Sequence, residues 1–171
     1  MMQKTLNFIA LAAACLIASA ADADVPGSHE SRAARLLEIL VGSWCFELRA
    51  ADDPDNVLTG GRRQFTEHEF DYALSWREHI DGTNLVVIGV IGYRPSTDSF
   101  YEFGHVSNGV AEFTRGEWHE DGNGLVFKAP GDTGQTELRW RGVDSFEYLR
   151  FETEGEETQA RWRATFNRCE S

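Results

Sequence analysis

From residue 43 onward, apolar and polar positions alternate in short runs, with a turn signal roughly every ten residues. The alternation predicts strands at 43–50, 61–68, 71–80, 84–94, 99–107, 110–119, 124–129, 135–142, 145–153 and 158–168. The turns between them are explicit: Asp81-Gly82-Thr83, Ser107-Asn108-Gly109, Asp121-Gly122-Asn123-Gly124 and Glu154-Gly155-Glu156. Asn-Gly and Asp-Gly suit tight hairpins because glycine accepts positive φ without a steric penalty. The longest connection, 50–61, carries Asp52-Asp53-Pro54-Asp55 and reads as a rim loop. No connection is long enough for a crossover helix, so the strands are expected to pair antiparallel. A faint repeat, Thr136 to Gly142 against Thr158 to Ala164, places Trp140 and Trp162 inward. It turns Arg139, Arg141, Arg161 and Arg163 outward, where glutamates on neighbouring strands can pair with them.

Before the strands, periodicity changes from two to helical. Ala34, Leu36, Leu37, Ile39 and Leu40 share one side, with Ser31 as the expected cap and Gly42 as the expected stop. A helix this short is expected to plug one end of the strand assembly. One helix and about ten antiparallel strands predict an all-β fold, an up-and-down barrel, because closure removes exposed strand edges. A two-sheet sandwich is the alternative. The segment 84–94 is apolar on both faces, so the N-terminal helix or another subunit is expected to cover its outer side; oligomerisation stays open.

Residues 1–20 read as a signal peptide. Lys4 precedes the apolar run 6–20, and Ala18-Ser19-Ala20 offers small residues for cleavage. The run is shorter than the roughly twenty residues of a spanning helix, so no transmembrane segment is expected. Residues 21–30 read as a flexible lead-in and 31–171 as the folded domain. Ala12-Ala13-Ala14-Cys15 faintly resembles a lipoprotein box, but Leu16-Ile17 continue the apolar stretch beyond the cysteine. These features together predict a periplasmic or secreted location.

Charge narrows the partners. The chain carries −12 at neutral pH, and losing Lys4 with the signal makes it −13. A domain this acidic repels nucleic acid and anionic lipid. Of three cysteines, Cys15 leaves with the signal. Cys45 and Cys169 both fall on the polar face of their strands, opposite Trp44, Phe46 and Leu48 in one case and Trp162, Ala164 and Phe166 in the other. If the first and last strands pair antiparallel, the two sulfurs come within bonding reach; otherwise they remain free thiols.

The helix followed by Leu40-Val41-Gly42-Ser43-Trp44 and a ten-strand meander ending in arginines resembles the calycin superfamily. Within it, the chain is similar to a lipocalin-like branch of small exported bacterial proteins, in Ile80-Asp81-Gly82-Thr83-Asn84-Leu85 and in Gly116 to Leu125. The resemblance implies a barrel with a ligand-sized lumen. It also implies that Trp44 packs beneath an arginine of the last strand, for which Arg161, Arg163 and Arg168 qualify. The other motifs of secreted lipocalins and their long first loop are absent.

Chemistry-bearing motifs are few. No Gly-x-Ser-x-Gly, phosphate loop or Cys-x-x-Cys occurs, and no two of the five histidines stand at ligand spacing, so no catalytic set, cofactor or metal is expected. His105 lies mid-strand beside Tyr101 and Phe103 and faces either the lumen or solvent; the sequence leaves both open. Glu78, Glu102, Glu112 and Asp71 read as the solvated face of an acidic protein. Three classes of function remain. The first is a barrel binding a small apolar or amphipathic molecule, with Trp76, Tyr93, His105, Trp140, Tyr148 and Trp162 as candidate wall residues. The second is an enzyme using a lumenal His or Glu as acid or base. The third is an envelope module that contacts a partner through an apolar patch.

Overall fold

A computed structural model describes residues 28–70 and 72–170. Helix α1 (His29–Leu40) precedes ten strands: β1 (Gly42–Ala50), β2 (Val57–Glu67), β3 (Ala73–Ile80), β4 (Val86–Arg94), β5 (Ser99–Val106), β6 (Ala111–Trp118), β7 (Gly124–Lys128), β8 (Gln135–Trp140), β9 (Ser145–Glu154) and β10 (Glu157–Arg168). Each strand pairs antiparallel with its sequence neighbours, and β1 also pairs with β10, which closes the barrel. The signal assigned to 1–20, most of the lead-in and Asp71 lie outside the described residues. The first described element, the helix, starts at His29. Among the described residues, no helix is long and apolar enough to cross a membrane.

The helix is capped one turn earlier than expected. Ser28, not Ser31, is the N-cap, and its hydroxyl accepts from the Ser31 amide. Its buried side is Ala33, Leu36, Leu37 and Leu40, so Ala33 replaces Ala34 on the inner stripe. Gly42, at φ +122°, lets the chain turn from helix straight into β1. The helix lies across one end of the barrel and is tied to the loops there. Arg32 donates to the Gly122 carbonyl at 2.7 Å, Tyr72 donates to Glu30 at 2.6 Å, and His29 meets Asp98. Asp98 also accepts from Tyr93, and burial together with that bond pushes Tyr93 up to about 12.

Pairing of the two terminal strands sets Trp44 against Arg168 and Cys45 against Asn167. Cys45 and Cys169 form a disulfide, with Cα atoms 5.0 Å apart. The expected rim loop 50–61 is shorter, because β2 starts at Val57 and runs through Gly60-Gly61. Gly61 lies where a Cβ would strike the Phe46 ring at 2.8 Å, so the glycine leaves that ring room against the strand. Outward arginines pair with glutamates: Arg139 with Glu137, Arg141 with Glu147, and Arg161 with Glu152 and Glu154. The helix does not cover the outer face of β4. Ile88 is 51% exposed, and Phe103 and Phe113, paired on β5 and β6, are 43% and 49% exposed.

Candidate ligand cavity

The barrel interior has two levels. At the helix end, Leu40, Trp44, Phe65, Phe100, Leu125, Leu138 and Phe146 pack into a dry plug, none more than 1% exposed. Stacked rings run through it, with Phe146 against Phe166 at 4.6 Å and Trp44 edge-on to Phe146 at 4.7 Å. Beyond the plug, the other half holds a cavity of about 400 Å³. That falls in the range of small-molecule sites. Its walls include Phe46, Leu48, Trp76, Val87, Phe127, Trp162 and Phe166.

Charge sits where the two levels meet. Alternation along β2 turns Phe65, Arg63 and Thr59 inward, and β3 turns Trp76 and Glu78 inward beside them. Arg63 and Glu78 are direct cross-strand partners, and their ion pair closes at 2.6 Å. The guanidinium also lies over the Trp76 ring at 4.4 Å. Burial alone disfavours the Arg63 charge, but the carboxylates of Glu78 and Glu102 outweigh it and hold the group above its ordinary range. Glu102, from β5, stops 3.9 Å from Arg63 Nη1. Among the described residues its carboxyl makes no hydrogen bond. Burial pushes Glu102 up to about 7; Arg63 opposes that rise, while Glu78 and Glu112 add to it.

Among the described residues, three deeply buried groups at this level keep unused polar atoms, the first being Arg63, whose Nη1 has no hydrogen-bond partner. Tyr148, 5% exposed, has a hydroxyl without a hydrogen-bond partner, and Trp76, 6% exposed, has a free indole N–H. Desolvation raises the Tyr148 phenol well above its usual value, so it stays protonated. The polar inventory differs from the sequence reading. Carboxylates read there as solvated face instead point inward: Glu78 is buried, Glu102 lines the cavity and Glu112 lies toward its mouth. The lumen is aromatic with a charged floor.

Strand glycines make room for the rings. A Cβ on Gly89 would strike Trp76 at 2.5 Å, and one on Gly116 would strike Phe127 at 2.6 Å. Trp76 also lies along Gly104, 3.3 Å from where a Cβ would stand. These glycines let large rings lie flat against the barrel wall and leave the centre open.

Of the candidate wall residues, Trp76, Tyr148 and Trp162 line the cavity. Tyr93 and Trp140 do not: Tyr93 packs against Phe100 and Trp140 against Phe146, both in the helix-end plug. His105 is on the outer face, because the alternation along β5 turns Phe100, Glu102, Gly104 and Val106 inward, the last three onto the cavity. Of the three arginines that qualify for Trp44, Arg168 lies over its ring at 4.0 Å and donates to the Val41 and Ile39 carbonyls. Arg163 is an exposed outer-face residue opposite Arg49. Arg63, Glu78 and Glu102 do not stand out together in the sequence. The signal was present: Glu78 stands two residues from Trp76, on the same face of its strand.

No family model and no curated protein matches this chain. Among solved structures, the S-type phycobiliprotein lyase CPES from Guillardia theta is similar, with a TM-score of 0.48 and 14% identity over 85% of this chain and 99% of that one. The likeness is one of outline.

Proposed function

We propose that this protein is an exported binding barrel that takes a small amphipathic molecule into the open half of its lumen. The observation that carries the reading is a cavity of about 400 Å³ with aromatic walls and a polar floor, closed beneath by a dry plug. A molecule with an apolar body and one polar end matches that gradient. The apolar run 6–20 and the disulfide support export. The calycin resemblance, which implies a ligand-sized lumen, points the same way. Tryptophan fluorescence with a panel of small aromatic alcohols, amines and acids tests the reading. A saturable change in the wild type that is lost in Val87→Trp, which fills the cavity, is expected. No change with any member of the panel would overturn it.

A second reading rests on Glu102, whose carboxyl is pushed up to about 7 inside an aromatic cavity. A group titrating there can donate and accept protons near neutral pH. Turnover that disappears in Glu102→Gln, with a pH profile inflecting near 7, would favour catalysis over binding.

A further inference from the structure

The charge in the cavity is unbalanced. Among the described residues that line it, Arg63 is the only cation, against Glu78, Glu102 and Glu112. Glu78 already engages Arg63 through both Nε and Nη2. Glu102 and Glu112 therefore face the cavity as excess carboxylates. On the inner face of β5 and β6, Glu102 pairs with Thr114 and Gly104 with Glu112, so the two acids occupy diagonal positions with a glycine between them. Near Arg63, whose guanidinium is 5.4 Å from its ring, Tyr148 has a buried hydroxyl with lone pairs and no hydrogen-bond partner among the described residues. Phe127, Trp162 and Phe166 supply aromatic surface around this spot.

We infer that the ligand is an organic cation, an apolar molecule bearing a protonated amine, whose N–H groups donate to Glu102 and the Tyr148 hydroxyl while its body lies against the aromatic wall. This rests on the binding reading above and names its ligand class. An ammonium supplies the charge that Glu102 and Glu112 lack, and aromatic faces favour a cation once it is desolvated. A carboxylate head would find one free donor, Arg63 Nη1, but would have to approach it past Glu102, 3.9 Å away, and Glu112. The acidic surface assists, because the net charge of −12 draws cations towards the mouth.

The groups facing Glu102 are Arg63 from β2, Glu78 from β3, Glu112 from β6 and Tyr148 from β9. Only ionised Glu102 pairs with the ammonium, so binding drives its proton off. Affinity for an amine then rises with pH towards about 7 and levels above it.

The test is isothermal titration of the full mature chain with 4-phenylbutylamine, 4-phenylbutanol and 4-phenylbutanoate, which share one body and differ in head group. At pH 8 the amine is expected to bind at least about tenfold more tightly than the alcohol, and the carboxylate most weakly. Between pH 8 and pH 5 the amine should lose roughly tenfold or more while the alcohol holds constant. Glu102→Gln should collapse the amine-to-alcohol ratio towards one, and Glu112→Gln should reduce it in part. If Glu102→Gln does not fold, the wild-type pH arm decides alone. Alcohol or carboxylate binding as tight as amine binding overturns the cation and leaves the binding barrel standing. Failure of all three overturns both.

Discussion

The two halves of this barrel share strands and rings but solve opposite problems. At the helix end every ring has a neighbour, and the polar atoms of the main anchor are satisfied: the Trp44 indole donates to the Leu40 carbonyl at 2.7 Å, and Arg168 covers the ring while bonding two backbone carbonyls. In the open half, glycines hold rings against the wall, a cavity is left, and a buried ion pair sits beside a carboxylate without a hydrogen bond. The first arrangement stabilises. The second keeps polar groups out of water, which costs stability unless something else uses them. That difference is why the open half, and not the plug, reads as the functional region.

The Cys45–Cys169 disulfide ties β1 to the chain's C-terminal end across 124 residues. Replacing both cysteines with serine is expected to lower unfolding free energy by on the order of 4 to 5 kcal/mol on a chain-entropy account. Denaturant melts of reduced and oxidised protein measure it, and two titratable thiols in the native oxidised protein would refute the pairing.

Next come the two buried anchors. Trp44→Ala removes the centre of the plug and should cost roughly 3–5 kcal/mol at any pH. Arg63→Met leaves Glu78 and Glu102 together without a cation, a loss of similar size, roughly 3–5 kcal/mol near neutral pH. The two differ in what repairs them. Acid, or a second change Glu78→Leu, should restore much of the Arg63→Met loss and none of the Trp44→Ala loss. Equal behaviour of both variants across pH would erase the distinction between the halves.

The smallest expected effect belongs to Glu102. Its folded-state value is raised from 4.5 to about 7, so the native state holds its proton longer than the unfolded chain does. Stability from this group is therefore fully present below about pH 4.5 and is lost as pH rises through about 7. Glu102→Gln should remove that decline and be the more stable protein at pH 8, by up to about 3 kcal/mol. A variant that is less stable at pH 8 would mean Glu102 is satisfied by contacts and not stranded.

Much of the fold was legible because period-two alternation and turn glycines are local signals. The ten strands, their antiparallel order and the outward arginines of the repeat all come from them, and the face assignment of Cys45 and Cys169 anticipated the bond. Strand starts slipped where glycine hid the pattern, as at Thr59-Gly60-Gly61, which belongs to β2 and not to a loop. The site was harder. Composition makes glutamate look solvated, and only register reveals that Glu78 follows Trp76 into the lumen while His105 faces out. Depth along the barrel is also invisible locally. Tyr93 and Trp140 point inward like Trp76 and Trp162, but they sit at the end where the helix fills the space.

The five tryptophans divide between the halves, and that makes the direct test. Trp76 and Trp162 line the cavity; Trp44, Trp118 and Trp140 belong to the helix end, where Trp118 meets Phe100 edge-on at 5.0 Å. Indole N–H signals in a proton–nitrogen correlation spectrum report each one separately during titration with 4-phenylbutylamine. Ligand binding in the open half predicts saturable shifts of the Trp76 and Trp162 signals with those of Trp44, Trp118 and Trp140 unmoved. Shifts shared by all five, or confined to the helix-end three, would contradict it.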